Sequence, residues 1–188
     1  MAVRRKARGA VDGGDERYIV VDGRRWRRSD PGIPATLQRE LVDELMDARR
    51  AVGAAKRAAS ARAEKAARAR VQRAKEALGE RGHPYWEEPT AAAQRKRATA
   101  TIRALLARRN RRAAVSGDGK RATEPTICPS DVARTIGGEH WREYMQLVRE
   151  VAAALVERGE LRVLQRGREV AIDKARGPIR LARSGSGE

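Results

Sequence analysis

The chain has 188 residues, a formal net charge of +17 and a pI near 11.3, with 3% aromatic residues and no Phe. That length holds one medium domain or two small ones, cored by Leu, Val, Ile and Ala rather than by large aromatic anchors. A single cysteine excludes an internal disulfide framework or a Cys-based metal cluster, and no apolar run approaches the ~20 residues that cross a bilayer.

Of the 42 basic residues 7 are Lys and 35 Arg. Arg makes planar bidentate contacts to phosphate, so the bias suits nucleic acid, although a GC-rich coding genome favours Arg and Ala equally. The opening MAVRRKARGAVDGG has no apolar stretch behind its cations and so does not read as a secretory signal. A cytoplasmic protein is expected. Trp26, Trp86 and Trp141 are expected to be packing centres, one in each region.

Residues 1–16 read as a disordered tail. YIVVDGRRWRRS then predicts a β-hairpin, strands near 17–21 and 24–28, because Asp22-Gly23 supplies the positive φ of a type I′ turn. Arg24, Arg25, Arg27 and Arg28 would form either a phosphate-binding ribbon or a charged edge that stays soluble. Pro34 suits a first helical turn, and Leu37, Leu41, Leu45, Ala48 and Val52 follow as one apolar stripe. Ala67, Val71, Ala74 and Leu78 form a second, ended by Gly79 and Gly82. Unbroken, residues 34–80 would make a rod of roughly 70 Å. A narrow stripe of that length needs a partner, so an antiparallel helical hairpin broken near Ala58–Ser60, with Ser60 as N-cap, is preferred. Residues 79–90 read as a loop whose Tyr85 and Trp86 pack back on the hairpin, and His83 has no companion ligands nearby.

A further helix is predicted from Thr90 to Asn110, with Ile102, Leu105 and Leu106 apolar. A flexible polar loop is predicted over 111–124. Pro129 and Asp131 mark a short helix ending at Gly137-Gly138. A longer one spans Glu139–Arg158, burying Trp141, Tyr144, Met145, Val148, Val151, Ala152 and Leu155. LRVLQ, Arg166-Gly167-Arg168 and EVAI predict strand, turn and strand, and IRLAR a last strand before a disordered tail at 184–188.

Charge is uneven. Residues 1–33 carry +4, 34–82 carry +5, 83–122 carry +7 and 123–188 only +1. Phosphate neutralisation dominates nucleic-acid affinity, so a nearly neutral module needs help from the basic arm upstream. On this reading Arg142, Gln146 and Arg149 face the groove, Arg166 and Arg168 sit on the wing, and the arm from Arg95 to Arg121, with Arg108, Arg109, Arg111 and Arg112, supplies attraction without sequence preference.

At CPSDVAR (128–134), WR (141–142), VR (148–149), RGELRVLQRG (158–167) and GPIRL (177–181) the chain resembles a bacterial winged-helix domain family of uncharacterised function. The likeness covers roughly residues 98–183, with ATATIRALLARR as the first of three helices and the loop at 111–124 as the main departure. The front part, YIVVDGRRWRRSDPGIP followed by ELVDELMDARRAV and LGERG, is similar to a segment in proteins labelled biopolymer transporters of the Tol type.

Catalytic chemistry finds little purchase. Cys128 near a helix start has no base but His140, which lacks an orienting partner, and Gly137-Gly138 lies in no phosphate-loop pattern. No enzyme activity, cofactor or metal is expected. The fold class expected is mainly α with small β elements: an N-terminal β-hairpin plus long helical hairpin (17–89), then a winged helix-turn-helix (90–183). The expected partner is nucleic acid, DNA bound with low sequence preference. The alternative is a protein-interaction scaffold whose alanine-rich helices dock a partner. Peripheral membrane attachment is disfavoured, because the basic helices lack bulky apolar anchors.

Overall fold

The structure, a computed structural model, describes residues 15–116 and 124–185. The predicted tail at 1–16 lies outside these residues but for Asp15 and Glu16, and that at 184–188 but for Ser184 and Gly185. Tyr18–Val21 (β1) and Arg24–Arg27 (β2) pair antiparallel, Val21 opposite Arg24. Asp22 and Gly23 have φ of +50° and +73°, the two positive values a two-residue type I′ turn demands.

Ala35–Arg57 (α1) and Ala61–Ala77 (α2) form an antiparallel hairpin. The break falls where Ala59 takes φ +49° and the Ser60 hydroxyl accepts from the Ala63 amide at 3.3 Å. Ala91–Ser116 (α3) packs along both helices. It extends past Asn110 into the predicted loop, because Arg111 meets Glu44 and Asp47 of α1 and gives these turns tertiary partners. Of that loop, residues 117–123 lie outside the described ones.

Thr126–Ile127 (β3), Pro129–Gly137 (α4), a 3-10 segment Gly138–Tyr144, Met145–Glu157 (α5), Leu161–Gln165 (β4), Arg168–Glu169 (β5) and Arg180–Arg183 (β6) complete the chain. The antiparallel sheet runs β3-β6-β4-β5. Two expectations change here. The helix expected from Glu139 becomes α-helical only at Met145. Gly138 caps α4 at φ +52°, and the Tyr144 ring lies so close over Gly137 that a Cβ there would overlap it, so the intervening residues are wound tightly. The expected strand EVAI shrinks to β5: after the Val170 amide donates to Val163 O (3.0 Å) the chain turns back through Ala171–Ala175 and buries Ala175 and Ile179.

The three Trp are not packing centres. Trp26 is 40% exposed and the other two are half-buried, whereas the fully buried large side chains are aliphatic, among them Leu41, Leu78, Ile102, Leu105, Leu155 and Leu181. Each indole is covered instead by cations: Lys75 over Trp26, Arg17 and Arg27 over Trp86, Arg134 and Arg142 over Trp141. Trp86 packs edge-on against Tyr18 of the β-hairpin and against Tyr85, not on the helical hairpin expected for it. The aliphatic core is continuous from Ile33 and Leu41 through Ile102 and Leu105 to Val148 and Leu181, so α3 is buried against both halves of the molecule.

Candidate nucleic-acid interface

Seven of the eight cations of α3 are taken up by carboxylates of neighbouring elements. Arg97 pairs with Asp30 (2.7 Å), Arg103 with Glu160 (2.7 Å), Lys96 with Glu76 (3.0 Å) and Arg95 with Glu150 (2.6 Å). Arg108 bridges Asp43 and Asp47 at 2.8 and 3.2 Å. Arg109 makes a fork to both Glu40 oxygens and reaches Asp131 and the Thr126 carbonyl at 3.0 Å, so one guanidinium ties α1, α3, β3 and α4 together. Burial works against its charge, but the Glu40 and Asp131 contacts outweigh that and raise its pKa. Arg111 shares Glu44 with Arg70 of α2. Glu44 is 1% exposed, and burial lowers the pKa of both guanidinium groups around it. Arg112 is exposed and has its own partner.

The residues expected to face a groove, Arg142 of the 3-10 segment and Gln146 and Arg149 of α5, are each engaged locally. Arg142 stacks on Trp141 with its guanidinium 4.6 Å from the ring centroid. Gln146 donates to Glu150 (3.2 Å), and Arg149 donates to the Gly177 carbonyl (3.0 Å), tethering the loop before β6. Glu139, Glu143 and Glu157 stay exposed on the same segment. Hydrogen bonds from Arg95 and then Gln146 hold the Glu150 carboxyl below the usual glutamate range.

The β4–β6 stretch differs. Arg166, at φ +52°, and Arg168 sit exposed at the turn between β4 and β5. Lys174, Arg176 and Arg180 are exposed on the same β4–β6 stretch, as are Arg158 and Arg183 at the opposite end of β4, where Arg183 pairs with Leu161. None of these seven has a carboxylate partner among the described residues; Arg180 donates only to the Thr126 hydroxyl (2.9 Å). Arg73 of α2 lies in range of Arg183, half-buried, its pKa lowered by burial and then by Arg103 and Arg70, with Glu160 opposing. Arg166 and Arg168 thus share the β4–β6 stretch with five cations not picked out in the sequence, two of them at its far end, while Arg108, Arg109 and Arg111 are held elsewhere as internal staples. A signal was present: residues 158–183 hold eight cations and three carboxylates, against three and six over 123–157.

Among the described residues no group of three His, Cys, Asp or Glu side chains could hold a metal, and no helix is long and apolar enough to cross a membrane. Residues 95–184, from early α3 to just past β6, match the family model described as Protein of unknown function (DUF3253). No curated protein matches the chain.

Proposed function

We propose that residues 91–183 form a winged helix and that the protein binds nucleic acid, duplex DNA in the first instance, through the face of its β4–β6 sheet. Helix α3, strand β3, helices α4 and α5, and an antiparallel sheet in which β6 lies between β3 and β4 follow the order of that module, with residues 166–177 as the wing. The observation that carries the binding is the set of seven exposed cations along the β4–β6 stretch, four of them on the wing, that have no carboxylate partner among the described residues. Arginines without partners on a convex turn neutralise phosphates, whereas a cation already in an ion pair adds little to the outward field. Residues 123–157, with three cations against six carboxylates, would orient the complex rather than supply its affinity. On this reading the protein is a binder without catalytic chemistry and reads backbone more than bases.

Fluorescence anisotropy of a labelled duplex, titrated at several salt concentrations, tests this. Affinity is expected to fall steeply with salt, and Arg166→Ala/Arg168→Ala should flatten the log–log slope by about 1.8, at ~0.9 per lost phosphate contact. No binding at low salt, or a slope unaffected by the double substitution, refutes the reading.

A further inference from the structure

The cations of the wing are not spread evenly. Three of them, Arg166, Arg176 and Arg180, line one cavity between the wing and the start of α4, together with Cys128, Pro178 and Ile179. No Asp or Glu lines it, and none of the three guanidinium groups has an ion pair among the described residues. The backbone is pinned in this arrangement: the Gln165 amide donates to the Arg176 and Pro178 carbonyls, and Arg180 is oriented by the Thr126 hydroxyl. Ile179 is buried beneath, giving the cavity an apolar floor. Three arginines lining one concavity with no acid among its lining favour an anion there, and an anion of three or four oxygens matches guanidinium forks in that role.

We propose that this cavity is a phosphate seat: it takes a single phosphoryl group, held by Arg166, Arg176 and Arg180. It rests on the nucleic-acid reading for the source of the phosphate, a strand's backbone, and on the cavity alone for the chemistry. A free phosphate ion carries the same group and fits the same three arginines. Seating one phosphate fixes the register of the wing along a strand, which an evenly charged surface does not do.

Cys128 is the chain's one cysteine and lines the cavity, its sulfur accepting from the Ser130 hydroxyl at 2.9 Å, so it reports on occupancy. The test is the rate at which a small neutral alkylating reagent modifies Cys128 in the full chain, at constant ionic strength, with inorganic phosphate or a short duplex added. Phosphate should slow the reaction saturably, with half-protection at millimolar concentration, roughly 1–10 mM for a seat of a few charge-assisted contacts. Arg176→Gln, checked for an unchanged urea midpoint, should raise the half-protecting concentration about tenfold, and Arg166→Gln similarly. A rate indifferent to phosphate, or slowed equally by chloride, overturns the seat, as does full protection in both variants. If phosphate protects while the duplex neither protects nor binds, the seat stands and the nucleic-acid reading falls. If the duplex binds while Cys128 reacts at its free rate with either ligand, the seat falls and the nucleic-acid reading survives.

Discussion

Helix α3 and the β4–β6 wing are both rich in arginine, yet they use it in opposite ways. Along α3, seven of eight cations meet carboxylates from α1, α2, α5, the loop before α1 and the residue before β4, and the eighth is also engaged. On the wing, Arg166, Arg168, Lys174 and Arg176 meet none among the described residues, nor do Arg158 and Arg183 at the other end of β4. The difference lies in where the carboxylates fall: Glu40, Asp43, Glu44 and Asp47 lie along α1, turned toward α3, while the wing projects beyond the reach of any comparable row. A cation's place in the sequence therefore says little about its outward field until the fold has assigned the acids.

The comparison can be broken most forcefully at Glu44. Buried and shared by Arg70 and Arg111, it leaves Arg70 without its paired carboxylate and Arg111 with Asp47 alone when removed. Glu44→Ala should cost about 3 kcal/mol of unfolding free energy in urea denaturation. A loss below about 1 kcal/mol would show that α3's cations are not staples. Arg109→Ala should cost about 2 kcal/mol, since Glu40 and Asp131 lose their shared partner while keeping some access to water. By contrast Arg166→Glu/Arg168→Glu should leave the unfolding free energy within about 0.5 kcal/mol while abolishing duplex binding at moderate salt; a large loss of stability would mean that the wing cations are structural after all. The smallest effect concerns Glu150. Its pKa is lower folded than unfolded, so its contribution to stability is full above the ordinary glutamate value and is lost as pH falls through the lowered one. In Arg95→Ala, NMR titration should move the Glu150 carboxyl back toward its ordinary value, and an unmoved titration would contradict the assigned cause.

Local chemistry was legible. Asp22-Gly23 fixed the hairpin turn, Ser60 marked the break in the long helix, and the apolar spacing of Val148, Val151, Ala152 and Leu155 located the buried side of α5. Long-range choices were not legible. Glu44 sits three residues from Leu41 on the buried face of α1, a hint that a carboxylate had to be satisfied inside, but nothing local named Arg70 or Arg111 as its partners. The link from Arg109 to Glu40 spans 69 residues. The tight 3-10 passage depends on the Tyr144 ring over Gly137, a contact no periodicity reveals. Among the site residues, Arg166 and Arg168 were legible from the turn between two strands. Arg158, Lys174, Arg176, Arg180 and Arg183 were hidden because a charge count from residue 123 averages the wing with the acidic α5.

The most direct measurement sets the two regions side by side: the salt dependence of duplex affinity for the unmodified chain, for Arg166→Ala/Arg168→Ala on the wing, and for Arg108→Ala on α3. The account predicts a slope flattened by about 1.8 in the wing variant and unchanged within about 0.3 for Arg108→Ala, since only the wing residues replace counterions on phosphate. A slope that flattens for Arg108→Ala and holds for the wing variant would contradict it.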